Sequence, residues 1–254
     1  MLVEVRDVSK IFQMENGEKK VLQHLNMTVE EGEFVCILGY TGSGKSTLLR
    51  LLSGLESVTS GQILVDQKIY DKPSKDVLMI FQDYNQLLPW KTVIENVMYP
   101  LIKKNKALDK KKASMIASQI LEQVGLMEFL NYYPRQISGG MRQRVALARA
   151  LVLNPRILLM DEPFAALDDI TRQQLQNMCL QIFNHNKTTV VFVTHSIEEA
   201  LTLADRIIVL DGKQGNVRNE LINEVKFHPD QIELRMQTKA KIIKMLNNEK
   251  ENGR

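Results

Sequence analysis

A glycine-rich loop between a short apolar run and a helical pattern constrains the fold of this chain more than any other feature. Residues 39–47 read Gly-Tyr-Thr-Gly-Ser-Gly-Lys-Ser-Thr and directly follow the apolar run Phe34–Leu38. The spacing G-x-x-x-x-G-K-S is typical of a loop that cradles phosphate between a buried strand and a helix. The sequence therefore predicts a strand over Phe34–Leu38 and a helix from Lys45 to about Leu52.

The groups of this loop predict nucleotide chemistry. Glycines let the chain curl so that its N–H groups point inward, and the following helix presents its positive N-terminus to the same anion. We expect Lys45 to reach the β- and γ-phosphates, Ser46 to bind Mg²⁺ through its hydroxyl, and Thr47 to contact the α-phosphate. An ordinary glycine-rich turn is the alternative, but strand, loop and helix all agree with a phosphate site. The predicted nucleotide-binding residues of the loop are Gly39, Tyr40, Thr41, Gly42, Ser43, Gly44, Lys45, Ser46 and Thr47.

The composition excludes some classes of protein and bounds the number of domains. With 254 residues, 44% of them apolar, we expect one compact domain, or a domain with a subdomain. The formal net charge of +3 is too small to indicate a nucleic-acid-binding protein. The longest apolar runs, Phe34–Leu38 and Val77–Phe81, have five residues, whereas a membrane-spanning helix needs about 20. We therefore expect no spanning segment. Because the N-terminus enters a strand pattern at once, we expect no signal peptide either.

The two cysteines and one basic segment have plain structural interpretations. Cys36 and Cys179 both lie in apolar patterns without metal-ligand spacing, so we expect inert core residues in a reducing compartment. Residues 103–112 are rich in lysine. We interpret this segment as a solvated loop and helix start, with a site for anionic lipid headgroups as the alternative.

Short apolar segments alternate with helical patterns along the chain, which indicates the α/β fold class. Continuous apolar runs separated by helices are typical of a mainly parallel sheet that is covered on both faces. Leu2–Val8 and Leu22–Val29 alternate between apolar and polar residues, as half-exposed antiparallel strands do. The predicted buried strands are Phe34–Leu38, Val77–Phe81, Ile157–Met160, Thr189–Val193 and Ile207–Leu210.

The segment from about Trp90 to Leu153 differs in character, because its patterns are helical throughout. We interpret it as a helical subdomain, residues 90–153, inserted into an α/β core of residues 1–89 and 154–227. Gly212 and Gly215 mark a turn, Arg218–Phe227 is predicted to form a last strand pair, and residues 228–254 form a charged helical tail. The helices predicted in the inserted segment are Val93–Ile102, Lys110–Val124 and Gly139–Leu153.

Two carboxylates follow one of the predicted buried strands. The run Ile157–Met160 leads directly into Asp161 and Glu162. Ligands of open α/β sheets bind at the carboxyl ends of the strands, so both side chains are expected at that edge. We expect Asp161 to hold the Mg²⁺ shell and Glu162 to act as the general base that polarises the attacking water. An acidic loop without function is the structural alternative.

Two further polar residues stand at strand ends. His195 follows the strand Thr189–Val193 and is predicted to contact the γ-phosphate, although a single histidine there is commonly a plain loop residue. Gln82 ends the strand Val77–Phe81 and is expected to sense Mg²⁺ and water. Ser196 and Glu199 are predicted to form a capping box for the next helix, which is a structural role.

A second potential phosphate cradle opens a later helix. Ser138, Gly139 and Gly140 combine a hydroxyl with two unhindered N–H groups at a helix N-terminus, but no lysine accompanies them. Such a site makes sense if it serves a nucleotide that another subunit already holds; a simple helix cap is the alternative. Asp168, in Ala166-Leu167-Asp168, would communicate across a dimer interface, although alone it is only a helix cap.

With these motifs in this order, the chain resembles the ATP-binding subunits of ABC transporters up to about residue 225. The motifs correspond to the Walker A loop, glutamine loop, signature, Walker B, D-loop and His switch of that family. The resemblance implies a P-loop NTPase (RecA-like) core with an antiparallel β subdomain and an inserted helical subdomain. It also implies a head-to-tail homodimer that sandwiches two ATP molecules, each with Mg²⁺, between Lys45 of one subunit and Ser138–Gly140 of the other. Phe12 occupies the place where family members stack adenine on an aromatic ring, usually tyrosine.

Departures from the general family pattern point to a subfamily. The signature reads Ile137-Ser-Gly-Gly-Met141 where Leu-Ser-Gly-Gly-Gln is general, and Tyr40 stands where Pro or Asn is common. We expect activity to survive, since Ser138 and both glycines remain. Ile-Ser-Gly-Gly-Met-Arg-Gln-Arg is similar to importer ATPases for nitrate, sulfonates and taurine, bicarbonate, and thiamine precursors. The implied function is ATP hydrolysis that energises uptake of a small solute.

The resemblance also implies partners. Integral-membrane permease subunits would provide the path, an extracytoplasmic solute-binding protein would act indirectly, and the chain would lie on the cytoplasmic face of the membrane. No nucleic acid is expected. We expect the permease to dock around Gln82–Trp90 and Tyr133–Gln136, with Leu87, Leu88, Pro89 and Trp90 as an apolar patch. Packing of Trp90 inside the helical subdomain is the equal alternative.

Three other functions compete with import. Exporters of the lipoprotein-release and macrolide type also carry a Leu-Leu-Pro, but the stretch equivalent to residues 61–82 is longer in them as a rule. Soluble ABC ATPases of translation or DNA repair carry two cassettes or a long coiled-coil insertion, and neither pattern occurs here. A nucleotide-dependent kinase would use the same phosphate loop but has no use for Ser138-Gly-Gly140.

Overall fold

The computed structural model describes residues 1–15, 17–82, 86–165, 167–211, 215–228 and 230–251. The chain divides into a first unit, Met1–Ser74 with Lys187–Arg254, and a second unit, Lys75–Asn186. The strands are β1 (Val3–Met14), β2 (Gly17–Val29), β3 (Phe34–Leu38), β4 (Ser60–Val65), β5 (Lys68–Ile69), β6 (Val77–Ile80), β7 (Ile157–Asp161), β8 (Thr189–Thr194), β9 (Arg206–Leu210) and β10 (Val217–Ile222). The α-helices are α1 (Lys45–Leu52), α2 (Val93–Lys104), α3 (Lys110–Gln123), α4 (Gly139–Leu151), α5 (Asp169–Asn186), α6 (Ile197–Leu203) and α7 (Ile232–Glu251).

An antiparallel sheet in the order β2-β1-β4-β5 forms one part of the first unit. In β1, Val3 lies opposite Val29 of β2 and Val65 of β4. The alternation of buried and exposed side chains at the start of β1 is what one covered face requires. The two predicted antiparallel strands are therefore confirmed, although both are longer than the alternating segments indicated. Strands β4 and β5 were not predicted.

The phosphate loop grows out of a parallel sheet in the same unit. Strand β3 lies between β8 and β9 and runs parallel to both, with Cys36 opposite Phe192 on one side and Ile207 on the other. Every side chain of β3 and β8 is buried, which confirms the prediction from their continuous apolar runs. Burial raises the pKa of the Cys36 thiol, and Cys179 in the second unit has its pKa raised to about 12 for the same reason, so both are core thiols.

In its described residues, the second unit combines the parallel strands β6 and β7 with the α-helices α2 to α5. Strands β6 and β7 pair with Val77 opposite Ile157, and helix α2 packs against α3 and α4. Thr92 and Glu95 form a capping box that starts α2. All of residues 90–153 are described and none lies in a strand, as the helical patterns predicted. The predicted domain boundaries themselves stay a prediction.

The predicted strand pair over Arg218–Phe227 is wrong. One strand, β10, pairs with β9, and a short 3-10 helix, Glu224–Lys226, follows it. Asn223 explains the change of direction, because its buried side-chain amide donates to the carbonyl oxygens of Leu201 and Ala204 at the end of α6. The predicted charged tail does form helix α7, whereas Gly212 of the predicted turn lies outside the described residues. In the part of the chain that the structure describes, no helix has the length and apolar character needed to cross a bilayer.

Candidate functional site

The phosphate loop, residues 39–44, joins β3 to α1 as predicted. Gly42 and Gly44 have φ of 88° and 91°, in the left-handed region that favours glycine. A Cβ on Gly44 would also lie 2.7 Å from Cδ2 of Leu22 and 3.1 Å from the carbonyl oxygen of Val21. The backbone conformation and the close approach of β2 therefore both require the glycine at position 44.

Lys45 is the buried cation of this loop. Its Nζ donates hydrogen bonds to the carbonyl oxygens of Gly39 at 2.8 Å and Tyr40 at 2.9 Å. These bonds fix the ammonium group against the main chain of the loop, and its predicted contact with phosphate stays a prediction. Ser46 and Thr47 follow in the first turn of α1, where Ser46 is exposed and Thr47 is half-buried.

The loop also contacts the C-terminal helix, which the sequence did not predict. The hydroxyl of Tyr40 donates to Oδ1 of Asn247 in α7 at 3.2 Å. Two ion pairs from Glu198 of α6, to Arg235 and Lys239, hold α7 in place. Position 40, one of the departures from the family pattern, is thus the residue through which the phosphate loop contacts α7.

His195 follows β8 and is exposed, between two anchored neighbours. The hydroxyl of Thr194 donates to the carboxylate of Glu199 at 2.6 Å, and the N–H of Ser196 donates to the same hydroxyl at 3.0 Å. Ser196 accepts from the N–H of Glu199, so the Ser196 half of the predicted capping box is confirmed. The Thr194 hydroxyl thus bridges the Ser196 N–H and the Glu199 carboxylate.

In the second unit, the structure brings two predicted catalytic residues together. Strand β7 ends in the buried Asp161, and Glu162 follows with φ of 43°. Nε2 of Gln82, which lies just beyond β6, is 3.4 Å from Oε2 of Glu162. Because β6 and β7 are parallel neighbours, their carboxyl ends meet at one edge. Within the described residues, no cluster of three or more His, Cys, Asp or Glu forms a ready-made metal site.

The predicted second cradle is the N-terminus of α4. Ser138 is the N-cap, and its Oγ accepts from the backbone N–H of Met141 at 3.2 Å. A Cβ on Gly140 would lie 2.5 Å from Cγ2 of Thr171. For a Cβ on Gly139, the nearest described atom outside the neighbouring backbone of the helix is an Arg142 nitrogen at 3.9 Å. Gly140 is therefore required by packing, and Gly139 leaves the helix end open. Met141 makes its contact with the cap through its backbone.

Asp168 and Phe12 have local contacts in the structure. Asp168 accepts from the backbone N–H of Thr171 at 3.0 Å, which lowers the pKa of its carboxyl group and caps the start of α5. Phe12 lies on β1 with Nζ of Lys10 4.8 Å from its ring centroid. Their predicted roles at a dimer interface and under adenine stay predictions, and Ala166 of the same motif lies outside the described residues.

Two residues of α4 that the sequence did not single out bind the neighbouring loops. Gln143 donates its side-chain amide to the carbonyl oxygen of Pro163, directly after Glu162. Arg149 donates to the carbonyl oxygen of Gln86 at 2.5 Å. The sequence indicated Gln143 only as part of the motif Ile-Ser-Gly-Gly-Met-Arg-Gln-Arg, and only the fold shows that both side chains reach main-chain oxygens of other segments.

The predicted docking patch is only partly exposed. Leu87 is 4% exposed and belongs to the core, which corrects its place in the patch. Trp90 is 70% exposed, so the alternative that it packs inside the helical subdomain is wrong. Asn96 accepts from the Leu88 N–H at 2.8 Å and donates to the Lys91 carbonyl at 3.0 Å, which fixes the turn that presents Trp90. The backbone N–H of Val93 donates to the carbonyl of Tyr132, another exposed aromatic residue.

A cavity of about 440 Å³ lies along α2 beside this turn. It is lined by four lysines, one glutamate and apolar side chains that include the Tyr99 ring. Nζ atoms of Lys91 and Lys103 lie 5.9 and 6.0 Å from the centroid of that ring. Among the described residues, none of the four lysines is seen in an ion pair, so the cavity is markedly cationic. The four lysines are Lys91, Lys103, Lys106 and Lys110.

Comparisons with known proteins show the family of the chain. Residues 22–165 match the family model described as ABC transporter. The chain is 44% identical to the bicarbonate transport ATP-binding protein CmpD of Synechocystis over 84% of this chain and 76% of that protein. It is 42% identical to the aliphatic sulfonates import ATP-binding protein SsuB of Bacillus cereus, over 89% and 88%. It is 43% identical to the nitrate import ATP-binding protein NrtD of Synechocystis, over 87% and 82%.

A solved structure is similar over almost the whole fold. A dimeric ATP-binding cassette in a post-hydrolysis state, bound to ADP and Pi, superposes with a TM-score of 0.79. That protein is 35% identical in sequence, and the match covers 87% of this chain and 98% of the other. The fold is therefore that of a P-loop NTPase of the ATP-binding-cassette type, as the order of motifs predicted.

Proposed function

The chain belongs to the ABC transporter family, and from this premise we propose that it energises uptake of a small anionic solute such as nitrate, a sulfonate, taurine or bicarbonate. It binds ATP and hydrolyses it to ADP and phosphate, as members of the family do. The observation that carries the proposal is the phosphate loop, whose two left-handed glycines and buried Lys45 form an anion site at the end of β3. The solute class is supported by relatives that are named for bicarbonate, sulfonates and nitrate.

The loop residues would hold the ATP phosphates. Backbone N–H groups of residues 39–44 and Nζ of Lys45 neutralise the β- and γ-phosphates, and Phe12 offers a ring face to adenine. The hydroxyl of Ser46 and the carboxylate of Asp161 have the oxygen chemistry that Mg²⁺ prefers, with Gln82 as a neutral addition. When bound, Mg²⁺ would neutralise charge that develops on the transferred phosphoryl group.

Glu162, Gln82 and His195 would position and activate water. Glu162 takes the proton of the attacking water as general base, which contributes about 10²- to 10⁴-fold in well-characterised enzymes. The contact between Gln82 and Glu162 supports a shared role for these two side chains. His195 would donate to the γ-phosphate from the anchored turn after β8.

The open end of α4 supports a homodimer. Ser138, Gly139 and Gly140 present a helix N-terminus without a lysine, which suits a γ-phosphate already bound to Lys45 of a second copy. Two such contacts related by symmetry would sandwich two ATP molecules, with Asp168 at the interface. This arrangement would make hydrolysis depend on dimer closure.

A permease would dock on the second unit. Trp90 and Tyr132 are exposed aromatic residues on neighbouring segments, and the lysine-lined cavity beside them favours a partner segment that carries both apolar and acidic side chains. The chain would then lie on the cytoplasmic face of the membrane through that permease. An extracytoplasmic solute-binding protein would complete an importer without touching this subunit.

The decisive experiment compares the wild type with Glu162→Gln. We expect the wild type to hydrolyse Mg²⁺-ATP and the variant to lose about 10²- to 10⁴-fold in rate while it elutes as an ATP-dependent dimer in size-exclusion chromatography. Glu122→Gln, an exposed carboxylate of α3, is the matched control and should behave as the wild type. Hydrolysis by Glu162→Gln at the wild-type rate would refute the general-base role. A variant that binds ATP and stays monomeric would refute the sandwich.

A further inference from the structure

We infer that Gln143 is a positioning residue for Glu162. The backbone of Glu162 is unusual, because φ of 43° places a non-glycine residue in the left-handed region immediately before a proline. Residues before proline prefer extended conformations, so this one is doubly unfavourable. Such a conformation persists only where surrounding contacts impose it. The turn after β7 must therefore be held by specific partners.

Gln143 is the side chain that holds the turn from the side of α4. Its amide donates to the carbonyl oxygen of Pro163, the residue after Glu162, and Gln143 itself is only 6% exposed. Within the turn, the N–H of Ala165 donates to the carbonyl of Glu162 at 3.2 Å. A buried amide that satisfies a main-chain oxygen is costly to remove, since the carbonyl loses its partner away from water.

The same helix carries the open N-terminus that is proposed to bind the second subunit's ATP. Gly139 and Gln143 are four residues apart on α4, about 6 Å along a rigid helix axis. A displacement of the α4 N-terminus therefore moves the Gln143 amide and with it the Pro163 carbonyl. This coupling rests on the proposed ATP sandwich, whereas the positioning role of Gln143 rests on the contacts alone.

Gln143→Met tests the inference, because it keeps the volume of the side chain and removes the donor. Gln176→Met is the matched control: Gln176 is a buried glutamine, 7% exposed, on α5. For Gln143→Met we expect kcat to fall about 10- to 100-fold with KM for ATP within about twofold, since a misplaced catalytic group costs rate rather than binding. Gln143→His, whose ring keeps an N–H donor, should recover part of the rate. In a Glu162→Gln background, Gln143→Met should cause no further loss.

A second measurement does not depend on hydrolysis. We expect Gln143→Met to speed amide hydrogen exchange at Ala165 by at least about tenfold, and Gln176→Met to leave it unchanged. The positioning role is overturned if exchange at Ala165 stays at the wild-type rate, or if the two methionine variants lower kcat equally. If Gln143→Met lowers the kcat of Glu162→Gln by the same factor as it lowers the kcat of the wild type, the positioning role is overturned as well. A wild type that does not hydrolyse ATP would instead count against the proposed function, and the exchange experiment would still decide the role of Gln143.

Discussion

The hydroxyl of Thr194 donates to the carboxylate of Glu199 over 2.6 Å, and both side chains are buried. The same oxygen accepts from the N–H of Ser196, so the residues on both sides of His195 are tied to one group. Anchoring the residues on both sides of His195 fixes the course of the backbone at that position. The relay through Thr194 therefore positions His195 through the backbone.

Thr194→Val should lower both stability and ATP hydrolysis. Valine has the shape of threonine, so the change removes the hydroxyl and with it one hydrogen bond of the buried Glu199 carboxylate and one of the Ser196 N–H. We expect a loss of about 1–3 kcal/mol in the free energy of unfolding, measured by urea titration. We also expect kcat to fall while the affinity for ATP is kept.

The matched control is Thr189→Val in the same strand. Thr189 is buried as well, but its hydroxyl accepts only from the backbone N–H of Gly32 at 2.8 Å among the contacts seen in the described residues. This variant should lose about 0.5–1.5 kcal/mol and hydrolyse ATP normally once folded. Equal effects of the two variants on kcat would contradict a role of Thr194 in positioning His195.

The two signature glycines should respond differently to alanine. In Gly140→Ala the new methyl group would press on Cγ2 of Thr171 at 2.5 Å, so we expect the melting temperature to fall together with activity. In Gly139→Ala the nearest described atom outside the neighbouring backbone of the helix is an Arg142 nitrogen, 3.9 Å from the methyl group. We expect that variant to fold as stably as the wild type and still lose hydrolysis, because the methyl group would point into the phosphate site of the second copy.

Mixed dimers distinguish a role of Gly139 within its own subunit from a role at the ATP of the second copy. In a dimer of a Gly139→Ala subunit and a Lys45→Ala subunit, both changes fall in one composite site and the other site stays intact. In a dimer of a wild-type subunit and a subunit that carries both changes, each composite site carries one change. Residual hydrolysis in the first dimer alone would agree with a trans role. If Gly139→Ala is as active as the wild type, the end of α4 does not approach a nucleotide.

The sequence predicted those parts of the fold whose signals are local. The apolar run, the glycine loop and Lys45 lie within a few residues of one another, and β3 and α1 have the predicted bounds. Strand β4 was missed because its character comes from pairing with β1, Val65 opposite Val3, far apart in the chain. The strand pair that was wrongly predicted over Arg218–Phe227 has a similar cause. Asn223 changes the direction of the chain there by donating to a main-chain carbonyl at the end of α6.

The candidate site divides in the same way. The candidate site residues could be predicted from the order of the motifs, but the contacts that hold these residues in place could not. The left-handed backbone of Glu162 and the reach of Gln143 to Pro163 depend on the packing of α4 beside the end of β7. The exposure of Trp90 depends on Asn96, whose side chain closes the preceding turn.

The docking of α7 should depend on acid pH. Hydrogen bonds from Lys239 and Arg235 lower the pKa of Glu198 in the folded protein below its ordinary value of 4.5. A depressed carboxyl pKa stabilises the fold at pH values above the unfolded pKa, and that stabilisation is lost as the pH falls through the folded pKa. We expect hydrogen exchange in residues 235–247 to accelerate below about pH 4.5 relative to β3.

Glu198→Gln provides the control for this pH dependence. The amide keeps the shape of the side chain but cannot titrate, so exchange in α7 should be faster at neutral pH and insensitive to acid. Because Glu198 is half exposed, we expect Glu198→Gln to change the hydrogen exchange rate of α7 only modestly at physiological salt. An acid-induced acceleration that persists in Glu198→Gln would assign the titration to another group.

Trp90→Ala should separate stability from assembly with a permease. Trp90 is 70% exposed, so its removal should change the free energy of unfolding by less than about 0.5 kcal/mol. An exposed aromatic residue beside a cationic cavity is a candidate hot spot, and we expect its loss to weaken co-purification with the membrane subunits by tenfold or more. Leu87→Ala is a control for loss of stability. Leu87 is 4% exposed, so the cavity left by this change should lower the free energy of unfolding by about 2–5 kcal/mol. If Trp90→Ala destabilises the isolated chain and leaves assembly intact, the partner docks elsewhere.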